Sequence, residues 1–237
     1  MQMLISLSLL EYEPVLAKHV DDLAGSECLS KIIRLVQTGK IHRAHVDVMR
    51  PPMIPGTSNF SKELMHRLYV ELHEKVQLAY HLMVKEPSPL IEEINGFVPK
   101  EERAKTLIII QRESFNSEDE AVKALRLLKT QGYEAGICLD LPTPRRVLTG
   151  KIIEAADNLL IMSVPMGRGG QKYSSKATRR IAFFSRGFPE KPITVDGGID
   201  PKTIGVAGKA GAKEAVVGSF ITRNGNPEEA IRALGGA

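Results

Sequence analysis

The chain has 237 residues, 43% hydrophobic and 25% charged, with 20 Gly, 14 Pro and a formal net charge of +4. That composition excludes a disordered chain, a collagen-like chain and a disulfide scaffold. With 5% aromatics, no Trp and scattered rather than clustered Lys and Arg, neither a stacking platform for single strands nor any other nucleic-acid surface is expected.

The opening segment MQMLISLSLLEYEP has no basic n-region and no apolar stretch of signal length. No run reaches the roughly 20 apolar residues of a membrane-spanning helix. A soluble cytoplasmic protein with no membrane partner is the expectation. Cys28 and Cys138 lie far apart without metal spacing and read as two buried free thiols in a reducing compartment.

In chain order, short aliphatic runs alternate with segments of helical spacing. The first run, Met3–Leu9, precedes a helical pattern over Val15–Leu35 that Gly25 and Ser26 interrupt. The second, Arg43–Met49, precedes Lys62–His73, with Leu64, Leu68, Val70 and Leu72 on the helical period. Val76–Val84 follows, then only a short helical stretch, Pro89–Ile94, and the polar segment Pro99–Lys105. Thr106–Gln111 leads into Asp119–Gln131, which should stop at Gly132 because glycine takes up the left-handed conformation of a helix end without strain. Glu134–Leu141 and Asn158–Val164 come next, then a helical pattern over Ser174–Phe188. Pro192–Gly198 precedes Pro201–Gly211, and Glu214–Phe220 precedes a helix start at Asn226-Pro227-Glu228-Glu229. There a capping Asn, a first-turn Pro and two acids face the positive end of the helix dipole.

Eight strands alternating with helices imply parallel pairing through right-handed crossovers. Strands that are apolar without clean alternation suit burial on both faces. At about 30 residues per unit, the chain matches minimal βα units, and the fold class read from it is α/β: a single (β/α)8 TIM barrel over residues 1–237.

Catalytic groups of such barrels sit at the C-terminal ends of the strands. The second strand carries His45-Val46-Asp47, whose first and third side chains share a face. The third carries His81 and the seventh carries Asp196. Two imidazoles and two carboxylates at one barrel mouth make a four-ligand site for a divalent metal. His19, His42 and His66, read as lying on helices or a loop, have no assigned role. Glycines follow the last three strands, at Gly167, Gly169 and Gly170, at Gly197 and Gly198, and at Gly218 before Ser219. Backbone N–H groups exposed by such loops cradle an anion, which favours a phosphate.

These residues resemble the ribulose-phosphate 3-epimerase family. His45-Val46-Asp47-Val48-Met49 is similar to its H-x-D-x-M-D-G motif, and His81-Leu82-Met83-Val84 to its H-L-M-V motif. Met162-Ser163-Val164 with Gly167-Arg168-Gly169-Gly170-Gln171-Lys172-Tyr173 is similar to its M-T-V-x-P-G-F-G-G-Q-x-F loop. Val195-Asp196-Gly197-Gly198-Ile199 and Val217-Gly218-Ser219 match its last two strand ends. The resemblance implies an epimerase that inverts C3 of a phosphorylated ketose, ribulose 5-phosphate by default. It further implies that His45, Asp47, His81 and Asp196 would hold one divalent ion, zinc or iron. By the same resemblance Asp47 and Asp196 would serve as acid and base, Ser8 would contact substrate, and Met49, Met83 and Met162 would form an apolar floor. Inverting a carbon beside a carbonyl needs one proton-transfer group on each face of a planar enediolate, which explains a carboxylate pair. Homo-oligomers are common in families like this, although no interface is legible in the sequence.

The chain departs from the family where Arg50-Pro51-Pro52 replaces D-G-H, where Gln111 replaces a His on the fourth strand, and where Arg168 replaces an aromatic. Arg50 is therefore read as marking a specificity loop. Three alternatives stand beside the default: a six-carbon substrate such as allulose 6-phosphate, a lyase of the hexulose-phosphate synthase type, and a catalytically silent sugar-phosphate binder motivated by Arg50. The two histidines argue against the lyase, and retention of all four ligands argues against the silent binder.

Overall fold

Each aliphatic run becomes a strand because its neighbours in space are other such runs. A computed structural model of the protein describes residues 3–56 and 60–235. In it, strands β1 (Leu4–Ser8), β2 (Ile41–Met49), β3 (Gln77–Met83), β4 (Thr106–Gln111), β5 (Glu134–Leu139), β6 (Asn158–Met162), β7 (Ile193–Asp196) and β8 (Glu214–Val217) close in sequence order into a parallel barrel. The ends of the expected domain, residues 1–2 and 236–237, lie outside the described residues.

The helices lie between the strands, with ends set by local chemistry. The first helical pattern splits into α1 (Glu13–Lys18), a 3-10 turn and α2 (Glu27–Gln37). Helix α3 (Lys62–Leu72) is capped by Ser61, and α4 (Ser88–Asn95) is the expected short third helix. Helix α5 (Glu118–Thr130) starts where Ser117 Oγ accepts from Glu120 N at 3.1 Å. The sequence reading missed α6 (Gly150–Ala155), only six residues long and so without a full amphipathic repeat. Helix α7 (Ser175–Gly187) precedes β7, and Asp200 forms a capping box at α8 (Pro201–Ala210). The last expected strand ends early, because Ser219–Thr222 turns into a short helix, α9. Helix α10 (Pro227–Gly235) opens with Asn226 Oδ1 accepting from Glu229 N at 3.2 Å.

Alternation sorts the strand residues into two cores. Outward-facing Val46, Val48, Ile108, Ile110, Leu159, Ile161, Val195 and Val217 are buried against helix residues such as Leu64, Leu68, Leu125 and Ile181. Inward-facing Ala79, Leu107, Ile109, Leu160 and Val216 fill the middle of the barrel with Cys138 and Met162. Below them, at the N-terminal ends, the filling is polar. Arg43 donates to Glu214 at 2.5 Å and to Glu134 at 2.7 Å, and Glu214 also accepts from Ser6 and Thr194. His42, expected on a helix or loop, lies on β2 next to this cluster, so that expectation is corrected. The strand begins at Ile41, two residues before the aliphatic run that starts at Arg43, and the register with β1 skips a residue at His42. Both cysteines are free, and Cys138 is buried as expected, but Cys28 is only half-buried because it sits on α2 at the edge of the core.

Candidate active site

Positions 45, 47 and 49 of β2 share one face, as do 79, 81 and 83 of β3, and register pairs Asp47 with His81 and Met49 with Met83. The parallel ladder thus brings the two short motifs together inside the upper barrel. Asp47 Oδ1 lies 3.2 Å from His45 Nε2 and 3.1 Å from His81 Nδ1. Asp47 Oδ2 accepts from Ser8 Oγ at 3.1 Å. Asp196 arrives from the end of β7, and one donor atom from each of His45, Asp47, His81 and Asp196 lies within 4.8 Å of the others.

The cluster has the chemistry of a cation site. Both histidines are buried, and His45 Nε2 has no hydrogen-bond partner of acceptable geometry although it faces Asp47. A nitrogen so placed is costly unless something accepts its lone pair. Two imidazole nitrogens and two carboxylate oxygens suit zinc or iron(II), and spacings of 3.1 and 3.2 Å are those of atoms able to share one ion at about 2.0–2.2 Å. The residues present fit a divalent metal.

The electrostatics agree. Burial alone would raise Asp47, but His45 and His81 outweigh it and hold its carboxyl below the ordinary range. Burial pushes Asp196 upward, and the neighbouring Asp47 charge adds to that, taking it to about 7. Burial keeps His81 below its ordinary value, whereas Asp47 overcomes burial at His45 and raises it.

Above the cluster opens a cleft. Ser8, Asp47, Asp196, Met49, Met83 and Met162 line it, together with Gly167, Gly169, Gly170, Gly197, Gly198, Gly218 and Ser219. Every one of these was singled out in the sequence. Gly198 is a glycine for a second reason besides any anion: at φ +61° its missing Cβ leaves room for the backbone of Gln171–Tyr173. Close packing of the loop after β6 on the loop after β7 demands it.

Arg50 stands apart. It does not line the cleft; its guanidinium donates to the carbonyls of Met49 (2.8 Å) and Phe60 (2.6 Å), bracing the loop after β2. The feature that motivated a silent binder is therefore engaged with backbone carbonyls and is not among the residues lining the cleft. Val164, Gln171 and Ile199, which entered the sequence reading only as members of family motifs, also line the cleft. So do Leu10 and Val216, which sequence reasoning passed over because ordinary apolar residues carry no signal of their own. Arg168 and Gln111 were noted only as departures. Arg168 lines the cleft rim, and Gln111 lies fully buried behind His81, its Nε2 2.9 Å from His81 Nε2.

Residues 24–222 match the family described as the ribulose-phosphate 3 epimerase family. The chain belongs to that family. Ribulose-phosphate 3-epimerase of Schizosaccharomyces pombe is 28% identical over 192 residues, covering 80% of this chain and 79% of the relative. The cytoplasmic isoform of Oryza sativa subsp. japonica is 30% identical over 198 residues, with the same coverage. Membership of the ribulose-phosphate 3-epimerase family makes the chain an isomerase acting on carbohydrates. The barrel itself is shared more widely. The 3-keto-L-gulonate-6-phosphate decarboxylase of Vibrio cholerae superposes with a TM-score of 0.67 at 10% identity, covering 99% of this chain and 96% of that one. A 3-hexulose-6-phosphate synthase superposes with a TM-score of 0.60 at 14% identity, covering 100% and 99%. Likeness at such identity shows the fold alone. No helix among the described residues is long and apolar enough to cross a membrane.

Proposed function

We propose that residues 1–237 act as one barrel domain that inverts C3 of a phosphorylated ketose by proton transfer through an enediolate, with ribulose 5-phosphate as the substrate. The observation that carries this reading is the convergence of His45, Asp47, His81 and Asp196 within 4.8 Å beneath a glycine-rimmed cleft. A divalent ion held by those four residues would polarise the substrate oxygens and offset the charge of the enediolate.

The protein's own groups supply the rest. Asp47 and Asp196 project from β2 and β7, on either side of the neighbouring β1 and β8, so they reach the cleft from separate parts of the wall. One takes the C3 proton and the other returns a proton to the opposite face, exchanging roles in the reverse direction. Ser8 holds Asp47 Oδ2 in place. Met49, Met83 and Met162 keep water from the planar intermediate without offering it a competing proton donor. The glycine-bearing loops after β6, β7 and β8 present backbone N–H groups to the phosphate, at the end of the barrel where phosphates commonly sit. The working enzyme is read as cytoplasmic, with zinc or iron(II) as its ion.

The test is deuterium incorporation at C3 in heavy water, followed by NMR, with zinc-loaded protein and ribulose 5-phosphate. Formation of the deuterated C3 epimer that Asp47→Asn and Asp196→Asn each abolish supports the two-carboxylate reading, with any residual exchange confined to the face of the remaining carboxylate. Epimer formation surviving either change overturns it, and epimer formed only from a six-carbon ketose phosphate moves the substrate to that class.

A further inference from the structure

The Gln111 side chain is fully buried at the end of β4, in register with Cys138 of β5, and does not line the cleft. Its Nε2 lies 2.9 Å from His81 Nε2, while its Oε1 is buried and accepts no hydrogen bond. On the other side of the ring, His81 Nδ1 lies 3.1 Å from Asp47 Oδ1. This arrangement allows one assignment of protons. Gln111 Nε2–H donates to an unprotonated His81 Nε2, and the ring proton on Nδ1 is donated to Asp47. With its proton there, Nδ1 has no lone pair to give to an ion.

Reversing the carboxamide changes both ends of the ring. Gln111 Oε1 then accepts from a protonated His81 Nε2, its missing partner is supplied, and Nδ1 is freed as a lone-pair donor on the side where His45, Asp47 and Asp196 converge. The ring is neutral in both arrangements. Only the tautomer moves, and only a side chain with a donor and an acceptor at one tip can serve both.

We propose that Gln111 is a positioning residue that sets the His81 tautomer and, by reversing its amide, keeps the ring hydrogen-bonded whether or not an ion is bound. The inference rests on His81 being a metal ligand, as proposed above. Partners behind a ligating histidine commonly fix its tautomer and orientation, and their loss costs about 10–100-fold in metal affinity.

Two measurements on the full chain test it. Zinc affinity, read by competition with a chromogenic chelator, should fall by about 10–100-fold in Gln111→Met, which keeps the length but loses both polar atoms, and should be rescued in Gln111→Glu, which keeps an acceptor. In the unaltered protein, ring 15N shifts should show His81 protonated on Nδ1 after chelation and on Nε2 after zinc is added. That second readout needs no variant to fold. Zinc bound by Gln111→Met as tightly as by the parent, or one tautomer in both states, overturns the role of Gln111 while leaving the metal site intact. A parent chain that takes up no zinc overturns the site and this inference together.

Discussion

Ser8 Oγ donates to Asp47 Oδ2 at 3.1 Å, while His45 and His81 both face Oδ1 of the same carboxylate. The two oxygens of Asp47 therefore have separate surroundings: one side meets the imidazoles, and the other is steered by a hydroxyl from β1.

Ser8→Ala should lower kcat/KM by about 10–100-fold, because a hydrogen bond to a charged group contributes about 1.5–3 kcal/mol. Zinc binding should change little, since the oxygen facing the histidines is untouched. Steady-state kinetics with metal titration on the same preparation checks both.

Asp47→Asn and Asp196→Asn should each cost about 10²–10⁴ in kcat, the usual contribution of a positioned proton-transfer group. The amide keeps the shape of the side chain but can neither take nor return the C3 proton. Single-turnover kinetics at saturating metal separates this loss from weakened ion binding.

Metal affinity should rise with pH through neutrality. Burial and the Asp47 charge push Asp196 up to about 7, so below that pH the carboxyl holds a proton that ligation must displace. The apparent zinc affinity should climb by up to about tenfold per pH unit below 7 and flatten above it. Competition titrations of the apoprotein between pH 6 and 8, with proton release followed by calorimetry, read the slope. A flat profile would show that Asp196 gives up no proton on binding.

Arg43→Ala should destabilise the fold without touching the chemistry. Arg43 and Glu214 are both nearly buried, and removing one partner of a buried pair costs about 3–5 kcal/mol. Urea unfolding should show that loss, while folded protein keeps its kcat because the cluster lies at the opposite end of the barrel from the cleft.

Gly198→Ala should both destabilise and weaken substrate binding. A Cβ at φ +61° is strained and meets the backbone of Gln171 and Tyr173. A loss above about 2 kcal/mol, several degrees in Tm, is expected with a raised KM. An unchanged KM would detach this loop from the phosphate.

Much of this was legible in one dimension. A repeat of eight aliphatic runs leaves few closed parallel arrangements, because strands buried on both faces need helices outside and side chains within. The i, i+2 spacing of His45 and Asp47 already puts them on one face, and the glycines after the last three strands announce tight loops. Strand ends were overread where apolar residues run on into loops and helices, as from Val217 into Ile221.

What the sequence could not decide lies in contacts between distant strands. Arg43 opens the second strand run with no partner in view until closure sets it against Glu134 and Glu214, 91 and 171 residues away. Arg50 reads as the mark of a specificity loop, and only the structure shows its guanidinium on backbone carbonyls of the loop after β2. Gln111 reads as a lost histidine until the β3–β4–β5 wall puts it behind His81. The sequence by itself determined the barrel and the residues around its mouth, because periodicity and local spacing carry that information along the chain. Only the tertiary structure decided which polar groups meet, because closing a barrel sets residues side by side that no local pattern relates.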